Sequence, residues 1–285
     1  MTTTKIGIAG ITGKFGRLLA QALLKRNTNK NIELRGYCRN PAKAPSWLTT
    51  NPVVTLHQGE ALTTLDVLRS FVRGLDVVVC AYLGDNIVMT DGQKALIDAC
   101  EAEGVPRYVA SDWCLDYTKL ELGQLFPKDP MIHVKKYLEG KSKVKGVHIL
   151  VGGFMEPQFG PAFGAWNAKT KTLTLWGTGD EVWEGTTYRD AAEYTAAVCL
   201  DKDAVGILRC ESSSFDKFVL QALTLCWYPL VVGDRKTFKE IADSFAEVYG
   251  IKPNVQSLGT MQQLHDKMHA VRAEAPREVF KYMFL

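Results

Sequence analysis

Gly10, Gly13 and Gly16 are spaced as Gly-x-x-Gly-x-x-Gly between the apolar run Lys5–Ala9 and a stretch that carries Phe15, Leu18, Leu19, Ala22 and Leu23 at helical spacing. A strand, a glycine turn and a helix in that order suit a phosphate cradle. Gly10 permits the tight turn, Gly13 lets backbone approach a pyrophosphate, and Gly16 lets the helix pack closely on its strand. The first N–H groups of the helix then face the phosphates, aided by the helix dipole. Gly10, Thr12, Gly13, Lys14, Phe15 and Gly16 are therefore expected to hold a dinucleotide. The second strand, Ile32–Cys38, ends in GYCRNPAK. An acidic side chain there would bind a ribose 2′-hydroxyl. Arg39, with Lys43 nearby, suits a 2′-phosphate instead, so the expected cofactor is NADP(H).

Other chemistry-bearing residues fall at strand ends. Ala81, Tyr82 and the residues up to Gly84 follow the apolar run Leu75–Ala81 and are expected to pass the cofactor. Ser111 and Asp112 follow the strand Arg107–Ala110, at the carboxyl edge where ligands bind in open parallel sheets. Phe154, Met155, Gln158, Phe159 and Trp166 make an apolar, aromatic wall of the kind small-molecule sites use. His265 and His269 are one helical turn apart, but no third ligand is evident, and no metal is expected.

The elements that must position these residues alternate. Strands at Lys5–Ala9, Ile32–Cys38, Val53–His57, Leu75–Ala81 and Arg107–Ala110 are separated by helical stretches, among them Thr90–Glu103, which Gly104 stops. That order predicts an α/β fold, a Rossmann-like doubly wound parallel sheet with a smaller carboxyl-terminal substrate-binding lobe. The expected division is a dinucleotide-binding domain over 1–152 and a mainly substrate-binding lobe over 153–285, with some elements returning to the first domain. The 285 residues are 46% hydrophobic and 23% charged with a net charge of +3, which argues against a dedicated nucleic-acid binder. Seven cysteines without a CxxC pair suit free thiols in a reducing compartment. No signal-peptide pattern opens the chain, and a cytoplasmic location is expected. The uncharged run Phe218–Gly233 is shorter than the roughly 20 apolar residues that span a bilayer. The flanking GILR and VVGDRKTFKE join well without the intervening Cys210–Leu230, giving a strand, a GDR turn and a helix capped by Thr237 and Glu240. Cys210–Leu230 therefore reads as an insert, either a translated intron or an apolar helix that covers the pocket or forms a dimer surface.

GIAGITGKFG, CRNPAK, QKALIDA, GVPRYVASDW, HVKKYLE and ILVGGFME, in this order, resemble the NmrA-like and isoflavone-reductase-like branch of atypical short-chain dehydrogenase/reductases, and the carboxyl-terminal stretch is similar to fungal members. The resemblance implies an NADPH-dependent oxidoreductase of secondary metabolism. It would reduce a carbonyl or conjugated double bond of a small aromatic or apolar metabolite. It also implies that Lys135, placed by helical spacing to pair with Glu139, assists proton movement beside the nicotinamide. Ser111-Asp112 matches a Ser-acid pair of the family, although Trp113-Cys114 replaces the commoner aromatic–Gly continuation, and Gln93 matches a family position. A rival lies on the same helix: Tyr137 and Lys141 have the Tyr-x-x-x-Lys spacing of ordinary short-chain dehydrogenases, with Ser111 to complete the set. Gly140 between them and the nearby helix end argue against it. The same resemblance leaves open an NADP-binding redox sensor that reports to a regulatory protein partner without turnover, and a non-redox lyase or isomerase.

Overall fold

The computed structural model describes residues 3–29, 31–160, 162–209 and 234–283. The suspected insert Cys210–Leu230 lies outside the described residues.

Apolar runs buried on both faces dictate the centre of the molecule. The strands β1 (Thr4–Ala9), β2 (Ile32–Cys38), β3 (Val54–Gln58), β4 (Val77–Cys80), β5 (Arg107–Val109) and β6 (Lys145–Leu150) are joined by β11 (Gly206–Arg209) in one sheet. Its order is β11-β6-β5-β4-β1-β2-β3, with every neighbouring pair parallel. All four residues of β4 are buried, as expected where helices cover both faces. One face packs against α1 (Lys14–Arg26) and α7 (Tyr188–Leu200), through Leu19, Leu23, Ala191 and Ala196. The other packs against α3 (Leu65–Val72), α4 (Gln93–Glu103) and α5 (Asp129–Glu139), through Leu68, Phe71, Leu96 and Val134. The chain thus forms a doubly wound, Rossmann-like sheet whose strand order reverses beside β1, leaving a crevice at the carboxyl ends of β1 and β4.

Two small sheets lie in the second half. One has the order β12-β10-β7, with β7 (Gly153–Phe154) parallel and β12 (Asp234–Thr237) antiparallel to β10 (Val182–Thr186). The other has the order β13-β9-β8, built from β8 (Trp166–Asn167), β9 (Thr172–Leu175) and β13 (Asn254–Ser257). The expected turn at Asp234-Arg235 is a strand instead, because β10 supplies it with a backbone partner. The helix that follows, Phe238–Tyr249, has the expected capping box between Thr237 and Glu240. Arg107 on β5 is buried and donates to the carbonyls of Val198, Cys199 and Asp201 at the end of α7. A cation there meets carbonyls that the helix itself leaves unsatisfied. The described cysteines Cys38, Cys80, Cys100, Cys114 and Cys199 are buried free thiols. No helix among the described residues is long and apolar enough to cross a membrane.

Candidate active site

The glycine turn between β1 and α1 is shaped by close contact. Gly10 has φ of 86°, and a Cβ on it would lie 2.6 Å from the Ala81 carbonyl oxygen. A Cβ on Gly16 would lie 2.4 Å from the Gly10 oxygen, so α1 can start this close to the turn only with glycine there. No side chain caps the amino terminus of α1, and its first turn holds no acid. The cradle therefore offers open N–H groups to an anion. These observations fit a dinucleotide pyrophosphate.

A cavity of about 1300 Å³ runs from this turn across the carboxyl edge of the sheet. The end at the turn is lined by Gly10, Thr12, Gly13, Lys14, Phe15, Arg39, Ala81, Tyr82 and Ser111, all of them among the residues expected to hold the cofactor. Arg39 is exposed at the end of β2. Gly16 lies beneath the turn and does not line the cavity. Lys43 sits on the exposed turn Pro41–Lys43 and does not line it either, because that turn carries it past the end of β2.

The far end is apolar, with Met89, Cys114, Met131, Phe154, Phe163 and Trp183 in its wall. An aromatic group joins the two ends. Phe15 packs on Trp113 (centroids 4.2 Å apart), Phe154 stacks on Tyr188 (4.0 Å), and the Lys14 ammonium lies 4.3 Å from the Tyr188 ring centroid. Of the predicted substrate wall, Phe154 and Gln158 line this cavity. Met155 and Phe159, on the short helix α6 (Met155–Phe159), instead line a second hollow of about 280 Å³ with Phe245 and Tyr249. Trp183 lines both hollows. Trp166 lines neither, because it stacks on Phe245 with centroids 4.6 Å apart.

Lys135 lies on α5 and pairs with Glu139, as the spacing predicted, but it does not line the cavity. From this part of the chain the residues that do are Pro127, Lys128, Pro130 and Met131, at the beginning of the helix. Lys135 shares a face with Met131 but lies one turn further on. The rival pair is also elsewhere. The Tyr137 hydroxyl donates to Asp98 (2.7 Å) and Lys141 donates to the same oxygen (2.6 Å), which ties α5 to α4. The rings of His265 and His269 lie 4.3 Å apart, and no group of three His, Cys, Asp or Glu side chains able to hold a metal occurs among the described residues.

Two features of the site were not legible in the residues alone. Gln93 is fully buried, and its Oε1 accepts from the Ser111 N–H (3.0 Å) and the Tyr108 hydroxyl (3.3 Å), so it fixes the loop after β5. Ser111 in turn donates to the Tyr82 carbonyl (2.7 Å). Beneath the loop, the Tyr117 hydroxyl donates to Asp112 Oδ2 (2.9 Å), and His148 Nδ1 lies 2.7 Å from the same oxygen. Burial, with the Asp112 carboxylate beside it, pushes the Tyr117 hydroxyl well above its ordinary range. Burial raises the Cys114 thiol to about 11, although Lys128 nearby pulls it down. Trp113 has φ of 30°, a left-handed conformation costly for a bulky side chain, and its indole N–H is anchored on Thr195 (2.9 Å).

A family described as NAD(P)H-binding matches residues 10–146. No curated protein matches the sequence. Several solved structures share the fold. An isoflavone reductase is 16% identical with a TM-score of 0.70, covering 99% of this chain and 87% of its own. Leucoanthocyanidin reductase from Vitis vinifera, bound to NADPH, is 15% identical with a TM-score of 0.71, covering 98% and 85%. An NADPH-dependent quinone oxidoreductase from Escherichia coli is 19% identical with a TM-score of 0.65, covering 98% and 88%.

Proposed function

We propose, from the premise that residues 10–146 form an NAD(P)H-binding domain, that this protein is an NADPH-dependent reductase of a small aromatic or otherwise apolar metabolite. Its acceptor would be a carbonyl or a conjugated double bond. One observation carries the reading: a single cavity joins the glycine cradle and Arg39 to an apolar, aromatic chamber. A bound nicotinamide supplies the hydride. The chain's own residues bind and orient. Gly10, Thr12, Gly13, Lys14 and Phe15 hold the pyrophosphate over a helix start that Gly16 lets pack closely, Arg39 favours a 2′-phosphate, and Ala81, Tyr82 and Ser111 border the nicotinamide half. Phe154 and Gln158, with Met131 and Trp183, exclude water around the acceptor. The structural neighbours are reductases named for isoflavone, leucoanthocyanidin and quinone, all ring systems, which agrees with such a chamber.

Lys128 lines the acceptor end, and its charge suits an acceptor oxygen on which negative charge develops. Lys135 would reach that oxygen only through an intermediary. That α5 turns Met131 rather than a lysine toward the chamber favours a second reading, an NADP-binding redox sensor without turnover.

The test is titration of the protein with NADPH and NADH, followed by loss of nicotinamide absorbance with quinones, enones and aromatic aldehydes. NADPH is expected to bind about tenfold or more tighter, which corresponds to about 1.4 kcal/mol, and Arg39→Ala to erase the difference. Preference for NADH would overturn the Arg39 assignment. Tight NADPH binding with no turnover across the series would replace the reductase by the sensor.

A further inference from the structure

Reducing a carbonyl or a conjugated double bond takes a proton as well as a hydride, and the wall of the cavity is the place to look for its donor. The tyrosines of that wall among the described residues are Tyr37, Tyr82 and Tyr188. The Tyr37 hydroxyl already donates to the Glu60 carbonyl (2.8 Å), and the Tyr82 hydroxyl is buried beyond reach. The Ser111 hydroxyl is given to the Tyr82 carbonyl. The Tyr188 hydroxyl differs from all of these. No described residue bonds to it, and it is not one of the buried oxygens, so a molecule in the cavity can reach it.

The surroundings decide what this ring presents. Tyr188 is the first residue of α7, and its N–H, which the helix itself leaves unpaired, is taken by both oxygens of Glu156 (3.0 Å each). One face of the ring is stacked on Phe154. The Lys14 ammonium, 4.3 Å from the ring centroid, lies over the other face, because Phe154 fills the first. With both faces covered, the edge and the hydroxyl are what Tyr188 gives to the cavity wall. Its position is also apt. Phe15, at the glycine turn, packs on Phe154 of the apolar chamber with centroids 5.9 Å apart, so Tyr188 stands where the two ends of the cavity meet. Burial, with the Glu156 carboxylate nearby, raises the hydroxyl above its ordinary value, which keeps its proton in place at neutral pH.

We propose that Tyr188 is the proton donor of the reduction, its hydroxyl hydrogen-bonded to an oxygen of the acceptor. The proposal rests on the reductase reading, with NADPH as the reductant, and it narrows the acceptors to aldehydes, ketones, quinones and enones. The acceptor carbon takes the hydride, and the π pair moves onto the acceptor oxygen, directly in a carbonyl and through the conjugated system in an enone. That oxygen forms its new O–H bond with the Tyr188 proton. The Oη–H bond breaks, its electron pair stays on the phenolate, and the phenolate regains a proton from water. The Lys14 ammonium over the ring favours the phenolate while it lasts.

The test compares the full chain with Tyr188→Phe, which keeps the stack on Phe154 and a ring face for Lys14. Equilibrium dialysis against the NADP+-loaded proteins uses 2-naphthaldehyde and 2-vinylnaphthalene, which has the same shape without the oxygen. The ratio of aldehyde to vinyl affinity is expected to fall about fivefold or more in the variant, with NADPH affinity unchanged. The variant's kcat on the aldehyde or enone that the wild type turns over fastest is expected to fall about 100-fold or more. An unchanged affinity ratio overturns the contact, and a kcat within about threefold of the wild type overturns the proton donation. A variant that loses about tenfold or more in NADPH affinity places the hydroxyl on the dinucleotide and overturns both. Dialysis needs no turnover. A protein that reduces nothing would therefore refute the reductase, and the proton step with it, while the ratio still decides whether Tyr188 meets the oxygen of a bound molecule.

Discussion

Lys135 illustrates what single residues reveal. Helical spacing paired it with Glu139, and that pair forms. The spacing also puts Lys135 on the same face as Met131, yet four residues advance a helix by about 6 Å. The cavity meets α5 at its beginning, so it meets Met131. Periodicity reports the face of a helix but not which turn reaches a ligand. Lys135→Ala is accordingly expected to leave kcat/KM within about twofold, and to cost at most about 0.5 kcal/mol of stability for a partly exposed i,i+4 pair. Steady-state kinetics and denaturant unfolding check both, and a loss of tenfold or more in kcat/KM would return the catalytic role to Lys135. Gly10 and Gly16 were legible for the opposite reason. Their backbones leave no space for a side chain, so residue type and geometry amount to one statement.

Among the elements, the parallel strands could be read from the sequence because burial on both faces leaves near-continuous apolar runs such as Val77–Cys80. β12 could not, because its pairing with β10 depends on residues far away in the chain. Helix α4 shows how an element secures the next strand. Glu101 near its end accepts N–H groups from Ser142, Lys143 and Val144, just ahead of β6. Desolvation alone would raise its pKa, but the Ser142 hydroxyl and these N–H groups outweigh it and bring Glu101 from 4.5 to about 2. A carboxyl group with a lowered folded pKa stabilises the fold above its unfolded pKa, and that contribution is lost as pH falls through the folded value. The melting temperature should therefore decline as pH drops from 4.5 towards 2. Glu101→Gln should flatten part of that decline and melt lower at pH 7. Glu103, held at about 2 chiefly by its hydrogen bond from Arg73, supplies a remaining share. Identical pH profiles for the wild type and Glu101→Gln would refute the assignment.

On the scale of the whole molecule, the glycine-turn end of the cavity was foreseeable and the apolar end only partly so. The cradle is local in sequence. The apolar chamber gathers side chains from β4 and β5 loops, α5 and the small sheet of β7, β10 and β12. Trp183, on β10, stands between the chamber and the smaller hollow that contains Met155 and Phe159. If the chamber takes the acceptor, as proposed, this indole limits its length. Acceptors bearing progressively longer alkyl tails should meet the indole and show a rising KM. Trp183→Ala should open one chamber into the next and level that rise, at about 1–3 kcal/mol of stability for a partly buried aromatic. A KM series that rises equally in both proteins would mean that the tails leave by another route. A ruler of this kind can be recut without touching the cradle, so the size of molecule accepted can change while the dinucleotide requirement stays as it is.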